Sequence, residues 1–305
     1  RPWGAARSAG AGRAPAAAAL MAAASEGAIG MTPLTIHGAR GSYPVSGDQV
    51  RQYGGATTCF SLETDQGILI VDAGSGIASL GHQLGQRKIL PPITILFTHF
   101  HLDHIIGLPA FKPLWRKDAQ ITFMADPTTA GDWYQTLRIV MDKPVWPVGL
   151  LETAAAIRFD DLPIVNGAVS TVPHHVTPRG KTPRLVMRTR PQAATAIHGP
   201  IELAGIRVSW CPAWHPQRCV SFRIETPDKT LVVATDREYG DSQLDALFME
   251  FCRGAEVLIH DAQYTPDEHA IHKGWGHSTW EESAHIAAEA GVKSLILTSH
   301  APERS

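Results

Sequence analysis

Four potential metal donors, His99, His101, Asp103 and His104, fall within residues 99–104 and follow directly on the apolar run 93–98. Neutral imidazole suits zinc, manganese and iron, and a carboxylate adds a hard oxygen with negative charge. An apolar run of strand length that ends in a turn can aim several side chains at one point. Two cations about 3.5–4 Å apart, a common water-activating arrangement, need more donors than one segment supplies. Later strand ends offer them: His215 lies between two strand-like runs, Asp236 directly follows the run 230–234, and His277 and His300 come after further runs. The chemistry these residue types support is hydrolysis by metal-activated water. No organic-cofactor motif accompanies them.

The elements that must position these donors are legible in part. Residues 34–36 and 57–63 have the alternation of strands, and 67–72 is an apolar strand that ends on Asp72. A tight turn at 72–76 leads into a helix over 77–84, and 93–98 has the uninterrupted apolar character of a strand buried on both faces. After Asp103 the apolar and turn segments do not resolve into elements. No acid occurs between Asp161 and Glu202, a stretch that holds Arg179, Lys181, Arg184, Arg188 and Arg190 as well as His174 and His175. Further strands are expected at 206–210, 220–225, 230–234, 255–260 and 294–298, with an amphipathic helix over 279–290. There is no repeat of solenoid type. Two groups of strands, each followed by helix, imply two sheets with helices outside.

Composition bounds the function. The chain has 305 residues, 44% of them hydrophobic, enough to bury a core without disulfide or metal staples. A formal charge of -2 gives no overall basic field for nucleic acid or an anionic membrane. Four cysteines without a Cys-x-x-Cys pair fit a reducing compartment, so a cytoplasmic location is expected. No apolar run approaches the roughly 20 residues that span a bilayer. Residues 1–30 are rich in Ala, Gly, Arg and Ser and read as a disordered leader, with the folded domain expected over 31–305.

Taken together, these residues resemble the metallo-β-lactamase superfamily, whose signature is His-x-His-x-Asp-His after an apolar strand. The resemblance runs over roughly 31–302, through Gly38-Ala39-Arg40-Gly41-Ser42, Tyr53-Gly54-Gly55, Val71-Asp72-Ala73-Gly74, Thr235-Asp236 and Gly276-His277-Ser278-Thr279. The pair His260-Asp261 and the later Gly-His-Ser turn are most similar to the ribonuclease Z-like and phosphodiesterase branch. What the resemblance implies is an α/β fold, an αββα four-layer sandwich, holding two divalent ions, zinc or manganese. It places His99, His101 and His215 on one ion, Asp103 and His104 on the second, and Asp236 between them. Asp72 would orient a ligand histidine. Asp103, His277 and Asp261 are the expected catalytic residues, with His277 as general acid held by Asp261. The third histidine is His215 rather than His174 or His175, because Phe222-Arg223-Ile224-Glu225 follows His215 at the family's spacing. His260 is open between a core and a functional role.

The chain departs from that pattern at the closing ligand. Ser299 stands where the family usually has a histidine, and His300 follows one residue later. His300 is the expected closing ligand, through a small backbone adjustment. Ala56 replaces an expected Asn after Tyr53-Gly54-Gly55. Phosphodiester hydrolysis on a small substrate, through hydroxide activated by two metals, is the leading function. A tRNA 3′-end endonuclease, a lactone or thioester hydrolase and a metal-poor binding protein are the alternatives. Nucleic acid as partner and a homodimer stay open; no membrane association is expected.

Overall fold

Residues 33–130, 132–163 and 196–304 are described in the computed structural model. Their layering follows from the apolar strands. In β3 (Gly67–Val71) all five residues are buried. Successive strand side chains point to opposite faces, so Ile68 and Ile70 join one cluster with Ile77, Leu80 and Leu84. Leu69 and Val71 join another, with Trp210, Phe222 and Val233. β4 (Ile93–Phe97) divides in the same way: Ile93, Ile95 and Phe97 pack with Ile68 and Ile70, and Leu96 packs with Leu69 and Val71. A strand clothed on both faces has no place for polar alternation, which is why these runs are continuous in the sequence. Each such side chain contributes about 1.5–3 kcal/mol through burial.

Two six-stranded sheets result among the described residues. The first has the order β1 (Leu34–Gly38), β2 (Cys59–Thr64), β3, β4, β5 (Gln120–Ala125), β6 (Ala156–Asp161). The second is β12 (Ser294–Thr298), β11 (Val257–Asp261), β10 (Thr230–Ala234), β9 (Cys219–Glu225), β8 (Ile206–Ala213), β7 (His198–Leu203). Their inner faces share the cluster around Phe60, Trp210 and Phe222. The first sheet's outer face carries α1 (Ile77–Gly85), through Ile77, Leu80 and Leu84. Short helices α2 (Leu102–Ile105), α3 (Pro127–Ala130) and α4 (Trp133–Val140) follow in chain order. Phe248 and Phe251 of α5 (Ser242–Cys252) and Ile286 and Ala287 of α7 (Trp280–Glu289) cover the second sheet's outer face. Between them lies α6 (Pro266–His272). The expected helix–sheet–sheet–helix sandwich is observed.

Register gathers the donors. β3 through β6 are mutually parallel, as are β10 through β12. Their C-terminal ends therefore come together at one edge of each sheet, delivering Asp72, Thr98 and His99 from the first and Asp236, Asp261 and Ser299 from the second. The segments after Asp103 that the sequence does not resolve hold α3, α4, β5 and β6, and the sequence also gives no clear pattern for α2, β7, α5 or α6. The expected leader 1–30 lies outside the described residues. So do 164–195, with most of the basic stretch and both His174 and His175. Among the described residues no helix is long and apolar enough to cross a membrane.

Candidate metal centre

The chain turns sharply at the end of β3. Asp72 is fully buried and sits at φ 61°, in the left-handed region. Its carboxylate accepts the Thr98 N–H and hydroxyl, each at 2.8 Å, and the His104 Nδ1–H at 2.8 Å. Burial pushes Asp72 up, and these three partners work against that rise. Asp72 thus ties β3 to the start of the donor segment and fixes the tautomer of His104. A proton held on Nδ1 leaves Nε2 with its lone pair facing inward.

The same logic holds for His215. Its Nδ1 donates to the Gly276 carbonyl at 2.7 Å, so Nε2 is the free nitrogen, and it lies 2.9 Å from His101 Nδ1 and 3.7 Å from Asp236 Oδ2. Gly276 permits this approach: a Cβ there would stand 2.2 Å from His215 Nδ1, and its φ is +92°. His99 Nε2 lies 3.6 Å from Asp236 Oδ2, and His104 Nε2 3.3 Å from the same oxygen and 3.4 Å from Asp103 Oδ2. Both nitrogens are buried without a hydrogen-bond partner among the described residues. Three groups of donors converge within 4.8 Å: His99, His101, His215 and Asp236; Asp103, His104 and Asp236; and Asp236, Asp261 and His277. Asp236 belongs to all three.

Protonation suits cations. Burial drives His99 well below the usual imidazole value, lowers His101 and takes His215 to about 4. Their lone pairs are therefore free at neutral pH. Asp236 is held well below the carboxylate range: burial opposes its charge, but His104 and His277 stabilise it. His104 is lifted well above its ordinary value, since Asp236, Asp103 and Asp72 outweigh the cost of burying its charge. Without a cation this cluster keeps a proton on His104. A metal can take the place of that proton. Orphaned inward nitrogens, neutral imidazoles and an ionised carboxylate common to all groups together fit divalent metal.

His277 and Asp261 pair as expected, with His277 Nδ1 to Asp261 Oδ2 at 2.9 Å. Asp261 is itself fixed by the Gln263 N–H on Oδ1 and the Arg237 N–H on Oδ2. Burial raises Asp261 to about 6 against the pull of His277. His277 stands at about 9: burial disfavours its charge, but Asp261 and Asp236 overcome it. The pair is an ion pair at neutral pH, with the His277 Nε2 proton not committed to Asp261.

His300 is not brought into any of the three groups. Its backbone N–H goes to Ala39 and its carbonyl to the Gly41 N–H, while its ring lies 5.1 Å from that of Tyr53. The ring is also bonded to the Leu297 carbonyl. The residue at the edge of the cluster is Ser299, at φ 55°, whose hydroxyl donates to the Thr235 carbonyl at 2.6 Å and lies 3.2 Å from Asp236 Oδ1. Ser299 lies just past the end of β12, in the left-handed region. With Ser299 facing Asp236, His300 faces Tyr53, and the expected backbone adjustment does not occur.

Four further residues support the site without being ligands. Ser42 donates its N–H to Asp103 Oδ2 at 2.8 Å. Thr98 anchors Asp72. Gly276 orients His215, and buried Glu238 accepts the N–H groups of Gly274 and Gly276, stiffening the loop that carries His277. Gly276 and Ser42 both lie inside motifs that carry the family resemblance. His260 has a packing environment: its ring bonds to Tyr239 and Ser283 and stacks beside Tyr239.

The family model described as a beta-lactamase superfamily domain matches residues 68–300. A curated relative named Ribonuclease Z, from Bacillus velezensis, is 24% identical over 250 residues, covering 78% of this chain and 79% of its own. Among solved structures, human tRNase Z, short form, superposes with TM-score 0.57 at 17% identity, over 88% of this chain and 92% of that one. A diphosphatase from the PhnP family gives TM-score 0.57 at 18% identity, over 88% and 87%. The two structures agree with this chain in fold.

Proposed function

The chain belongs to the beta-lactamase superfamily domain family, and from that membership we propose that it is a hydrolase that cleaves phosphodiesters with two divalent metal ions. The observation that carries the reading is the convergence of His99, His101, Asp103, His104 and His215 on the buried carboxylate of Asp236. In this reading His99, His101, His215 and Asp236 hold one ion, and Asp103, His104 and Asp236 the other. Such ions, when bound, lower the pKa of water toward neutrality and neutralise charge on a phosphoryl group.

The remaining steps belong to side chains. Asp72 and the Gly276 carbonyl keep His104 and His215 in the tautomers that present Nε2 inward. His277, charged at neutral pH and steered by Asp261, is the group that gives a proton to the departing oxygen. A cavity of about 370 Å³, lined in part by Trp214, Tyr239, Lys273 and Gly274, lies along the loop that leads to His277, although none of the proposed ligands lines it.

The likeness to proteins named Ribonuclease Z supports a second reading, an RNA phosphodiester as substrate. Purified protein assayed with bis(p-nitrophenyl) phosphate, a cyclic nucleotide, a precursor tRNA and a lactone separates these. Turnover of the small diesters supports the first reading, turnover of the RNA alone supports the second, and turnover of the lactone alone removes both.

A further inference from the structure

We propose that the two metal positions are unequal: one holds zinc tightly, and the other takes an exchangeable, harder cation such as Mn²⁺ that completes its shell from solvent or substrate. The proposal rests on the metal reading above and adds the division between the positions. The first group has four protein donors, three of them imidazole nitrogens, His99, His101 and His215, with Asp236. Four such ligands satisfy tetrahedral zinc. The second group has three, Asp103, His104 and the shared Asp236. That leaves one nitrogen, two carboxylates and only two donors of its own.

Among the described residues no further side chain is placed to complete it. Ser299, fully buried against Asp236, commits its single proton to the Thr235 carbonyl at 2.6 Å, and a neutral hydroxyl is not a usual zinc ligand. His300 is held by Ala39, Gly41 and Tyr53. Asp103 shares its Oδ2 with the Ser42 N–H. Asp261, which also approaches Asp236, has Oδ1 bonded by the Gln263 N–H and Oδ2 by both Arg237 N–H and His277. Oxygen-rich positions that retain waters favour Mn²⁺ or Mg²⁺ over a thiolate- or imidazole-seeking ion. Loss of supporting contacts around a ligand alone costs 10–100-fold in metal affinity. A missing protein ligand is expected to cost at least about 100-fold between the two positions.

The test uses the full chain stripped with a chelator, loaded with Zn²⁺, gel-filtered and measured by elemental analysis, then titrated with Mn²⁺ while free Mn²⁺ is followed by electron paramagnetic resonance. The expected result is about one zinc per chain after filtration and one further Mn²⁺ bound at least about 100-fold more weakly. His104→Ala should abolish the Mn²⁺ binding and keep the zinc. Ser299→His, at a left-handed position that histidine tolerates better than most residues, should raise retained zinc to about two. Two zinc ions held equally tightly by the unaltered chain, or loss of both from His104→Ala, overturns the division. Absence of any retained metal overturns the metal reading itself. If Ser299→His does not fold, the unaltered chain and His104→Ala still decide.

Discussion

Replacing His277 by Ala separates proton donation from metal binding. His277 Nδ1 is bonded at 2.9 Å to Asp261, which is buried and anchored by two backbone N–H groups. The imidazole stands at about 9 instead of 6.5, which corresponds to about 3 kcal/mol in favour of its charged form. Two cations beside it would take back part of that preference. His277→Ala should therefore keep its metals and lose about 10²–10⁴-fold in kcat on a diester with an alkoxide leaving group. On a p-nitrophenyl diester, whose leaving group needs little protonation, the loss should stay under about tenfold. Asp261→Asn should show a milder form of the same split. Its high-pH limb should also move to lower pH, because the carboxylate that holds the imidazolium is gone. Paired rate profiles with elemental analysis make the measurement. Equal losses on both leaving groups with metals retained would refute the acid role, and loss of metal from His277→Ala would make it a ligand.

His101→Ala should empty the imidazole-rich position and abolish turnover, and elemental analysis showing full occupancy would contradict its place there. Asp72→Asn should leave the fold intact and weaken metal binding by about 10–100-fold, because His104 loses the partner that fixes its tautomer; an unchanged affinity in chelator competition counts against it. In metal-free protein His104 is held above its ordinary value, burial being outweighed by Asp236, Asp103 and Asp72, and His277 is raised to about 9. Folded values above unfolded ones give stability that is complete below about pH 6.5 and lost as pH rises through the folded values. The thermal midpoint of metal-free protein should thus fall between about pH 6.5 and about pH 9, and fall less once metal replaces the proton; a rising midpoint without metal would contradict this.

Legibility followed the physics of burial. The runs at 67–71 and 93–97 were plain because strands covered on both faces tolerate no polar alternation, and they located Asp72 and the donor segment. β6 is hard to read because it is a six-residue strand at a sheet edge, AIRFDD, with only Ile157 and Phe159 as large apolar side chains and two acids at its end. At the site, residues whose roles depend on side-chain chemistry were readable, including His215, Asp236 and the Asp261–His277 pair. Roles played by backbone were not. The Gly276 carbonyl on His215, the Ser42 N–H on Asp103 and the φ of 55° at Ser299 leave no trace in residue type. His300, expected at the metals from the family pattern, is found against Tyr53.

The most direct test of metal-dependent phosphodiester hydrolysis is one titration on purified protein. Hydrolysis of bis(p-nitrophenyl) phosphate is followed as metal is stripped by chelator and restored as Zn²⁺ and Mn²⁺, with metal content measured at every point. Turnover that disappears with the metals and returns in proportion to those rebound is expected. Turnover that persists in metal-free protein, or metal-loaded protein that leaves the diester intact and opens only a lactone, would contradict it.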